Sequence, residues 1–209
     1  PTIDRTVNRG GGRCIATGAS MPFSHIREEG SNGRQGRALL AIVADSKQGR
    51  RYFPATEGHM LASHAECDLA LGEIHVNPRD FKTPNYGMSH WEQLFAPRQL
   101  LALTTFSDLL RRLHGRVEED AARRGFDADG ARLRDGGNGA TAYADAIVTY
   151  LAFAIDKCAD YWSTICSWHN SKELIRNTFG RQAIPMTWDF AEANPFSDSS
   201  GNWMAMVNW

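Results

Sequence analysis

Two long stretches with helical periodicity set the strongest limit on how this chain folds. After Pro97, apolar residues recur at alternating three- and four-residue steps, at Leu103, Phe106, Leu110, Leu113, Val117 and Ala121. A second series has similar spacing, at Tyr143, Ile147, Tyr150, Ala154, Cys158, Tyr161 and Ile165. Because this spacing puts side chains on one stripe of an α-helix, the sequence predicts two long helices that pack antiparallel. The first begins at Pro97 and ends at Gly125.

The amino-terminal quarter of the chain has a different character, because it favours short strands and carries an excess of positive charge. Residues 37–44 (RALLAIVA) and 50–53 (RRYF) are typical of two strands joined by a short loop, which predicts a small β-hairpin. A short helix is predicted near residues 23–29. Nine of the 23 basic residues lie within residues 1–52, against four of the 24 acidic residues. This quarter is therefore the basic face of the chain.

Shorter signals fill in the rest of the secondary structure. Residues 56–71 have helical character with Thr56 as the N-cap. The Asn170 to Glu173 spacing resembles a capping box and predicts a third helix that Pro185 ends. The pattern at residues 203–209 resembles a helix that has just begun, so we expect a fragment of a longer chain.

These elements together predict an α+β fold that is mainly helical. We expect a small basic α+β subdomain at residues 1–72 and a helical subdomain at residues 97–209. Residues 73–96 are rich in Pro, Asn, Gly and aromatic residues, which predicts an irregular linker between them. We expect the whole chain to form one compact unit.

Composition excludes several classes of function. The 209 residues are 42% hydrophobic with a net charge of −1, which predicts a globular protein with a real core and no overall basic field. No apolar run approaches the roughly 20 residues that span a bilayer, so we expect a cytoplasmic protein without membrane contact. The four cysteines form no CxxC pair, which predicts reduced thiols. Phosphate-loop, dinucleotide-binding, nucleophile-elbow and HExxH motifs are absent.

Two clusters of polar residues have the spacing of chemical sites. Asp145, Asp156 and Asp160 fall within about 60° of one another around the second long helix, as paired carboxylates for acid/base or metal chemistry would. The favoured alternative is that Asp156 and Asp160 face solvent or Arg111 and Arg112 of the neighbouring helix. His59, His64 and Cys67 could present metal ligands, but no further ligand pair lies nearby, so we expect no metal.

Three stretches of the sequence are specific enough to indicate a relationship. They are residues 21–27 (MPFSHIR) with 33–36 (GRQG), residues 95–106 (FAPRQLLALTTF) and residues 179–196 (FGRQAIPMTWDFAEANPF). They resemble the middle region of large bacterial adenine-specific DNA methylases that contain a Zn-ribbon. The resemblance extends over nearly the whole chain.

The resemblance implies a division of labour within a larger enzyme. In that family the S-adenosylmethionine-binding glycine motif lies upstream of this region and the Asp-Pro-Pro-Tyr catalytic motif lies downstream, and neither is present here. The chain is therefore expected to be the DNA-recognition or insert region of an N6-adenine methyltransferase, not catalytic by itself. S-adenosylmethionine is expected for the parent only, and DNA and the remaining parent domains are the expected partners. Of the family's CxxC ribbon only Cys14 is present.

The predicted DNA contacts follow from charge and from chemistry that suits bases. The phosphate candidates are Arg27, Arg34, Arg37, Arg50, Arg51 and Arg98, and the base candidates are Asn85, Tyr86 and Asn194. For each one the alternative is a surface ion pair or a turn, and Asn194 is first of all a turn residue. Removing the charges of Arg50 and Arg51 is predicted to flatten the salt dependence of DNA binding by about two units. The alternative function is a helical protein-interaction scaffold without DNA contact, which exposed apolar residues on the long helices would favour.

Overall fold

The computed structural model describes residues 7–8 and 10–208. Residues 1–6 and 9 of the predicted amino-terminal subdomain and residue 209 of the predicted helical one lie outside the described residues. The predicted fold class is confirmed, because the structure is about 40% helix and 15% strand and its two longest helices pack together. In the described part of the chain, no helix is both long and apolar enough to cross a membrane.

The described residues form two compact units that do not follow chain order. Unit 1 contains the described residues up to Ser63 together with Asp68–Leu94 and Arg181–Trp188. Unit 2 contains His64–Cys67, Phe95–Gly180 and the described residues from Asp189 onward. Most of the predicted linker is therefore grouped with the basic amino-terminal residues, and so is a short segment from late in the chain.

Unit 1 begins with two small antiparallel sheets. Strands β1 (Val7–Asn8), β2 (Gly11–Arg13) and β3 (Ser20–Met21) form the first sheet in that order. Strands β4 (Ala41–Ser46) and β5 (Gly49–Pro54) form the second, with Ser46 opposite Gly49 at the turn. The predicted β-hairpin is confirmed. The glycine run at residues 10–12 supplies the turn into β2 and part of that strand.

Two α-helices and two single 3-10 turns complete unit 1. Helix α1 spans Phe23–Ser31, which confirms the short helix predicted near residues 23–29. Helix α2 spans Glu57–Ala62. Thr83–Tyr86 and Trp91–Leu94 form single 3-10 turns within the predicted irregular segment.

The predicted helix over residues 56–71 is correct only in its first half. Thr56 is the N-cap, since its hydroxyl accepts a hydrogen bond from the His59 N–H at 3.3 Å. Helix α2 ends at Ala62 because the Ser63 hydroxyl donates to the Met60 carbonyl at 2.7 Å, which competes with continued backbone pairing.

Unit 2 is built on two long helices, as predicted. Helix α3 spans Pro97–Arg123 with Pro97 in its first turn, and helix α4 spans Ala140–Tyr161. Their side-chain pairs fix an antiparallel arrangement: Glu118 contacts Thr141 at 2.5 Å, while Phe106, three turns earlier in α3, contacts Trp162 beyond the end of α4. The chain leaves α3 through Gly125, whose φ of 95° suits a glycine.

The core of unit 2 lies between these helices and the carboxyl-terminal segment. Helix α5 spans Trp203–Val207, where a new helix was expected to begin. The buried cluster comprises Ala154, Cys158, Trp162, Cys166, Ile175, Ala193 and Met206. The indole N–H of Trp162 donates to the Gly201 carbonyl at 2.6 Å, so the largest buried side chain is also hydrogen-bonded. Helix α4 therefore ends at Tyr161, before Ile165, because the chain turns to bury residues 162–166.

The predicted third helix after Asn170 is wrong. Strands β6 (Ser167–His169) and β7 (Leu174–Arg176) form a hairpin there, with Trp168 opposite Ile175. Burying Ile175 in the core requires an extended chain at this point, and Glu173 takes a left-handed φ of 49° in the turn. The resemblance to a capping box is local, and tertiary packing overrides it.

Candidate nucleic-acid interface

Unit 1 contains an open cleft that brings together three of the predicted DNA-contacting residues, Arg27, Asn85 and Tyr86. Its volume is about 350 Å³, and its lining combines apolar, aromatic, amide and cationic groups: Val7, Asn8, Phe23, Arg27, Lys82, Asn85, Tyr86, Met186 and Trp188. Rings, two cations and the Asn85 amide in one concave surface are the chemistry that suits a strand of nucleic acid.

Helix α1 supplies the first wall of the cleft. Phe23 and Arg27 lie one helical turn apart and therefore share a face of α1. The Arg27 guanidinium carbon lies 5.9 Å from the Phe23 ring centroid and 5.6 Å from the Tyr86 ring centroid. The two cation–π contacts hold the Arg27 guanidinium beside both rings.

The second wall is the 3-10 turn at Thr83–Tyr86, which packs against α1 backbone to backbone. A Cβ on Gly30 would overlap the Tyr86 carbonyl oxygen, and a Cβ on Gly87 would overlap the Gly30 carbonyl oxygen. Gly87 also has a φ of 85°, a conformation that only glycine adopts without strain. Two glycines therefore allow the close approach that sets Tyr86 beside Arg27.

The third wall comes from the late segment of unit 1. Phe81 and Ile184 form a parallel bridge, in which the Lys82 N–H donates to the Ile184 carbonyl at 3.0 Å and the Ile184 N–H donates to the Asp80 carbonyl at 2.9 Å. This pairing carries the chain to Trp188, whose ring lies 5.1 Å from that of Tyr86 at an interplanar angle of 85°.

The polar groups of the cleft are available to a ligand. Among the described residues, no carboxylate lies within ion-pair distance of Arg27, and the Asn85 side-chain amide has no hydrogen-bond partner. The Lys82 ammonium donates to the Pro78 carbonyl, which occupies one of its three hydrogens. The cleft therefore has a net positive charge from Arg27 and Lys82.

The other predicted phosphate contacts of unit 1 have internal partners. Arg34 binds both carboxylate oxygens of Glu29, at 2.8 and 2.7 Å, and lowers the pKa of Glu29. Arg50 pairs with Asp45 at 2.9 Å in the β4–β5 hairpin. The ion-pair alternative therefore describes both arginines as the structure has them.

Two further arginines of unit 1 have weaker contacts of their own. Arg37 donates to the Gln93 carbonyl at 3.4 Å. The Arg51 guanidinium carbon lies 5.5 Å from the Phe53 ring centroid, and the Arg51 side chain is exposed. Neither residue lines the cleft.

The two predicted contacts in unit 2 also have structural roles. Arg98 forms a bidentate pair with Glu192, at 2.6 and 2.5 Å. The side-chain oxygen of Asn194 accepts a hydrogen bond from the Phe196 N–H at 3.0 Å, which makes Asn194 the turn residue that its sequence context favoured. Asn194 is nevertheless exposed, so its position leaves base contact open as a prediction.

The acidic stripe of α4 separates into three different environments. Asp145 accepts hydrogen bonds from Arg132 Nε at 2.8 Å and the Leu133 N–H at 3.0 Å, and it contacts His114 Nε2 at 2.9 Å. The hydrogen bond from Arg132 is the main reason that the pKa of Asp145 falls from 3.8 to about 2. This carboxylate ties the α3–α4 connection to both helices and stays ionised.

Asp160 is buried and serves the fold, whereas Asp156 is exposed. The Asp160 carboxylate accepts hydrogen bonds from the Asn177 amide at 2.6 Å and the Phe179 N–H at 2.8 Å. Lys157 Nζ lies 3.7 Å from the same carboxylate. The interpretation that Asp160 faces solvent or the α3 arginines is therefore wrong, because Asp160 holds the segment after β7.

The cysteines and histidines offer little metal chemistry in the described residues. No group of three or more His, Cys, Asp or Glu side chains there has the geometry to hold a metal ion, including the predicted candidates His59, His64 and Cys67. Burial raises the pKa of the Cys158 thiol to about 12, as expected for an unreactive core thiol.

Sequence reasoning missed three residues that make the cleft what it is: Phe23, Lys82 and Trp188. The i, i+4 spacing of Phe23 and Arg27 within a predicted helix was a usable signal. Trp188 had no such signal, because its position depends on the bridge between Phe81 and Ile184.

Comparison of the chain with protein-family models, with curated proteins and with solved structures gives no match.

Proposed function

We propose that this chain is a DNA-contacting region of an adenine-specific N6 methyltransferase, whose cofactor and catalytic motifs are supplied by other parts of the parent enzyme. The observation that carries the proposal is the unit 1 cleft, where Arg27, Asn85 and Tyr86 lie together although the sequence predicted each of them separately. Cations and aromatic rings on one concave surface support nucleic-acid contact. The resemblance of three sequence stretches supports the enzyme class.

Electrostatics makes this proposal testable through salt. The chain has a net charge of −1, so any attraction to phosphates must come from local groups such as Arg27 and Lys82. Each phosphate that a cation neutralises releases counterions, which makes the logarithm of affinity fall linearly with the logarithm of salt concentration. The slope of this line is proportional to the number of phosphates that the protein contacts.

The experiment is fluorescence anisotropy of a short labelled duplex between about 50 and 200 mM salt. The double variant Arg27→Gln, Lys82→Gln is expected to reduce the slope by about two units, because it removes two cations of the cleft. The matched control is Arg34→Gln with Arg50→Gln, which removes the same charge from two arginines that Glu29 and Asp45 already pair. We expect a change of less than about one unit for the control.

The hairpin arginines give a separate measurement. Removing Arg50 and Arg51 together was predicted from the sequence to flatten the slope by about two units, but the ion pair with Asp45 lowers that expectation to about one. Equal effects for all three double variants would show that DNA binding responds to the overall charge of unit 1 and is not localised at the cleft. Absence of any duplex binding at low salt would contradict the proposal.

A helical interaction scaffold is the second candidate, and exposed apolar side chains on α4 favour it. Tyr150 is 73% exposed and Phe153 is 62% exposed, and their rings lie 6.5 Å apart. Here the partner would be the remaining domains of the parent methylase. The double variant Tyr150→Ser, Phe153→Ser is then expected to abolish co-elution of this chain with those domains in gel filtration, and the unmodified chain is expected not to bind the labelled duplex at low salt.

A further inference from the structure

The unit 1 cleft has more chemistry than phosphate binding requires. Phosphates are satisfied by cations and N–H groups, and rings contribute nothing specific to them. Trp188 is 40% exposed, although it is among the largest apolar side chains of the chain. Its ring faces a concave surface that also contains Phe23, Tyr86 and the Asn85 amide. This combination points to a flat, polar-edged ligand.

The rings of the cleft differ in what already contacts them. Tyr86 and Trp188 meet at 85°, an edge-to-face arrangement, so neither ring stacks parallel on the other. Phe23 and Tyr86 are both occupied by the Arg27 guanidinium. Trp188 is therefore the ring best placed to stack on a planar ligand. Contact with Tyr86 fixes the orientation of the indole before the ligand binds.

The Asn85 side chain supplies a hydrogen-bonding edge beside this ring. It is exposed, and within the described chain no group occupies its amide donor or acceptor. A carboxamide pairs in a bidentate manner with the adjacent donor and acceptor of a base, most often adenine. The backbone N–H of Asn85 is bonded to the Lys82 carbonyl at 3.2 Å, which holds the residue in its 3-10 turn.

From these features we propose that the cleft holds one unstacked purine base of a DNA strand, stacked on Trp188 and hydrogen-bonded by Asn85. Arg27 and Lys82 then contact the phosphates on either side of that base. The volume of about 350 Å³ lies within the roughly 300–1,000 Å³ of ligand pockets and suits one base with its sugar. This role presupposes the DNA binding proposed above and specifies which part of DNA the cleft takes.

The experiment compares three labelled duplexes that differ at one position. The first is fully paired, the second has a single bulged 2-aminopurine, and the third has an abasic bulge in the same place. We expect the bulged base to increase affinity about tenfold over the paired duplex, and its fluorescence to be quenched on binding by stacking on the indole. The abasic bulge, which keeps the backbone and removes the base, is expected to bind like the paired duplex.

Two variants assign the effect to the cleft. Trp188→Ala is expected to remove the preference for the bulged base and its quenching. Asn85→Ala changes an exposed side chain that has no hydrogen-bond partner among the described residues, so it tests the site even if Trp188→Ala disturbs folding. It is expected to reduce the preference for the bulged base about fivefold. The matched control is Phe179→Ala, which removes a ring that is 62% exposed in unit 2 and is expected to change nothing.

The outcomes separate this inference from the proposed function. If no duplex binds at all, the proposed DNA contact and the base site both fail. If the paired and bulged duplexes bind equally well and the 2-aminopurine is not quenched, the base site alone is overturned. A preference for the bulge that survives both Trp188→Ala and Asn85→Ala also overturns it, because the base then lies elsewhere.

Discussion

The two units of this protein are held together by different kinds of contact. Unit 2 buries large side chains, and Trp162, with 2% exposure, lies at the centre of a cluster contributed by α4, α5 and the β6–β7 hairpin. In unit 1 the contact that positions the cleft is made by backbone, where Gly30 and Gly87 let α1 and a 3-10 turn meet without side chains between them.

This difference explains where free side chains occur. The rings and polar groups of the unit 2 core are engaged within it, as the Trp162 indole and the Asp160 carboxylate are, while the exposed rings of unit 2, such as Tyr150 and Phe153, lie outside that core. When backbone contact supplies the position, the side chains that project from the contact remain available. Arg27 and Asn85 project from such a contact, so unit 1 presents cationic and amide groups in one cleft.

The largest effect is expected in the side-chain core of unit 2. Trp162→Ala should lower the free energy of unfolding by about 3–5 kcal/mol, because it leaves a cavity and removes the hydrogen bond to Gly201. Trp162→Phe retains most of the ring volume and should cost about 1–3 kcal/mol, since the Gly201 carbonyl loses its donor. Urea unfolding followed by circular dichroism measures both. Equal costs for the two variants would mean that the hydrogen bond, and not packing, dominates.

A smaller effect is expected at the backbone contact of unit 1. Gly87→Ala should cost about 2–4 kcal/mol, combining the strain of a left-handed φ with an overlap on the Gly30 carbonyl. Gly33→Ala is the matched control, because its φ is 68° and no described atom lies within 4 Å of the added Cβ. It should cost only about 1 kcal/mol, from the strain alone.

The Gly87 and Gly33 pair also sharpens the comparison between the units. Gly87→Ala must separate α1 from the 3-10 turn, so it should weaken DNA binding at the cleft along with stability. Gly33→Ala should leave DNA affinity unchanged in the anisotropy measurement. If both variants lose stability equally, the close approach of Gly30 and Gly87 does not hold the cleft together.

The elements that the sequence predicted well are those with local causes. Helix α3 has one apolar period, a proline at its start and Gly125 after its end, and each of these acts within a turn or two. The β4–β5 hairpin is marked in the same way by apolar strands around a short loop. The β6–β7 hairpin was missed because burial of Ile175 depends on α4, which no local pattern near Asn170 reveals.

The same distinction applies to the candidate site. Arg27, Asn85 and Tyr86 were predicted from charge and residue type, but so were Arg34, Arg50 and Arg98, which pair with carboxylates. Residue type alone does not separate the two groups, because the partner of Arg98 is Glu192, far away in the chain. Which arginine remains unpaired is decided by tertiary structure.

The smallest effect is expected at Asp145 in unit 2, whose carboxylate joins the α3–α4 connection to both helices, and this effect depends on pH. The pKa of Asp145 is lowered from 3.8 to about 2, so its ionised form is favoured in the folded state by Arg132, Leu133 and His114. The resulting stability is fully present above about pH 4 and is lost as the pH falls from about 4 to about 2. Because Arg132 is half exposed and solvent screens the pair, Asp145→Asn should cost only about 1 kcal/mol at neutral pH.

Urea unfolding between about pH 6 and pH 2 tests the sign of this effect. The wild-type protein should lose stability relative to Asp145→Asn as the pH falls below about 4, so the two curves converge near pH 2. Asp156→Asn is the control, since Asp156 is exposed on the same helix and pairs with no described cation. Parallel curves for wild type and Asp145→Asn would mean that Asp145 does not stabilise α3 against α4, which would leave side-chain burial around Trp162 as the main source of order in unit 2.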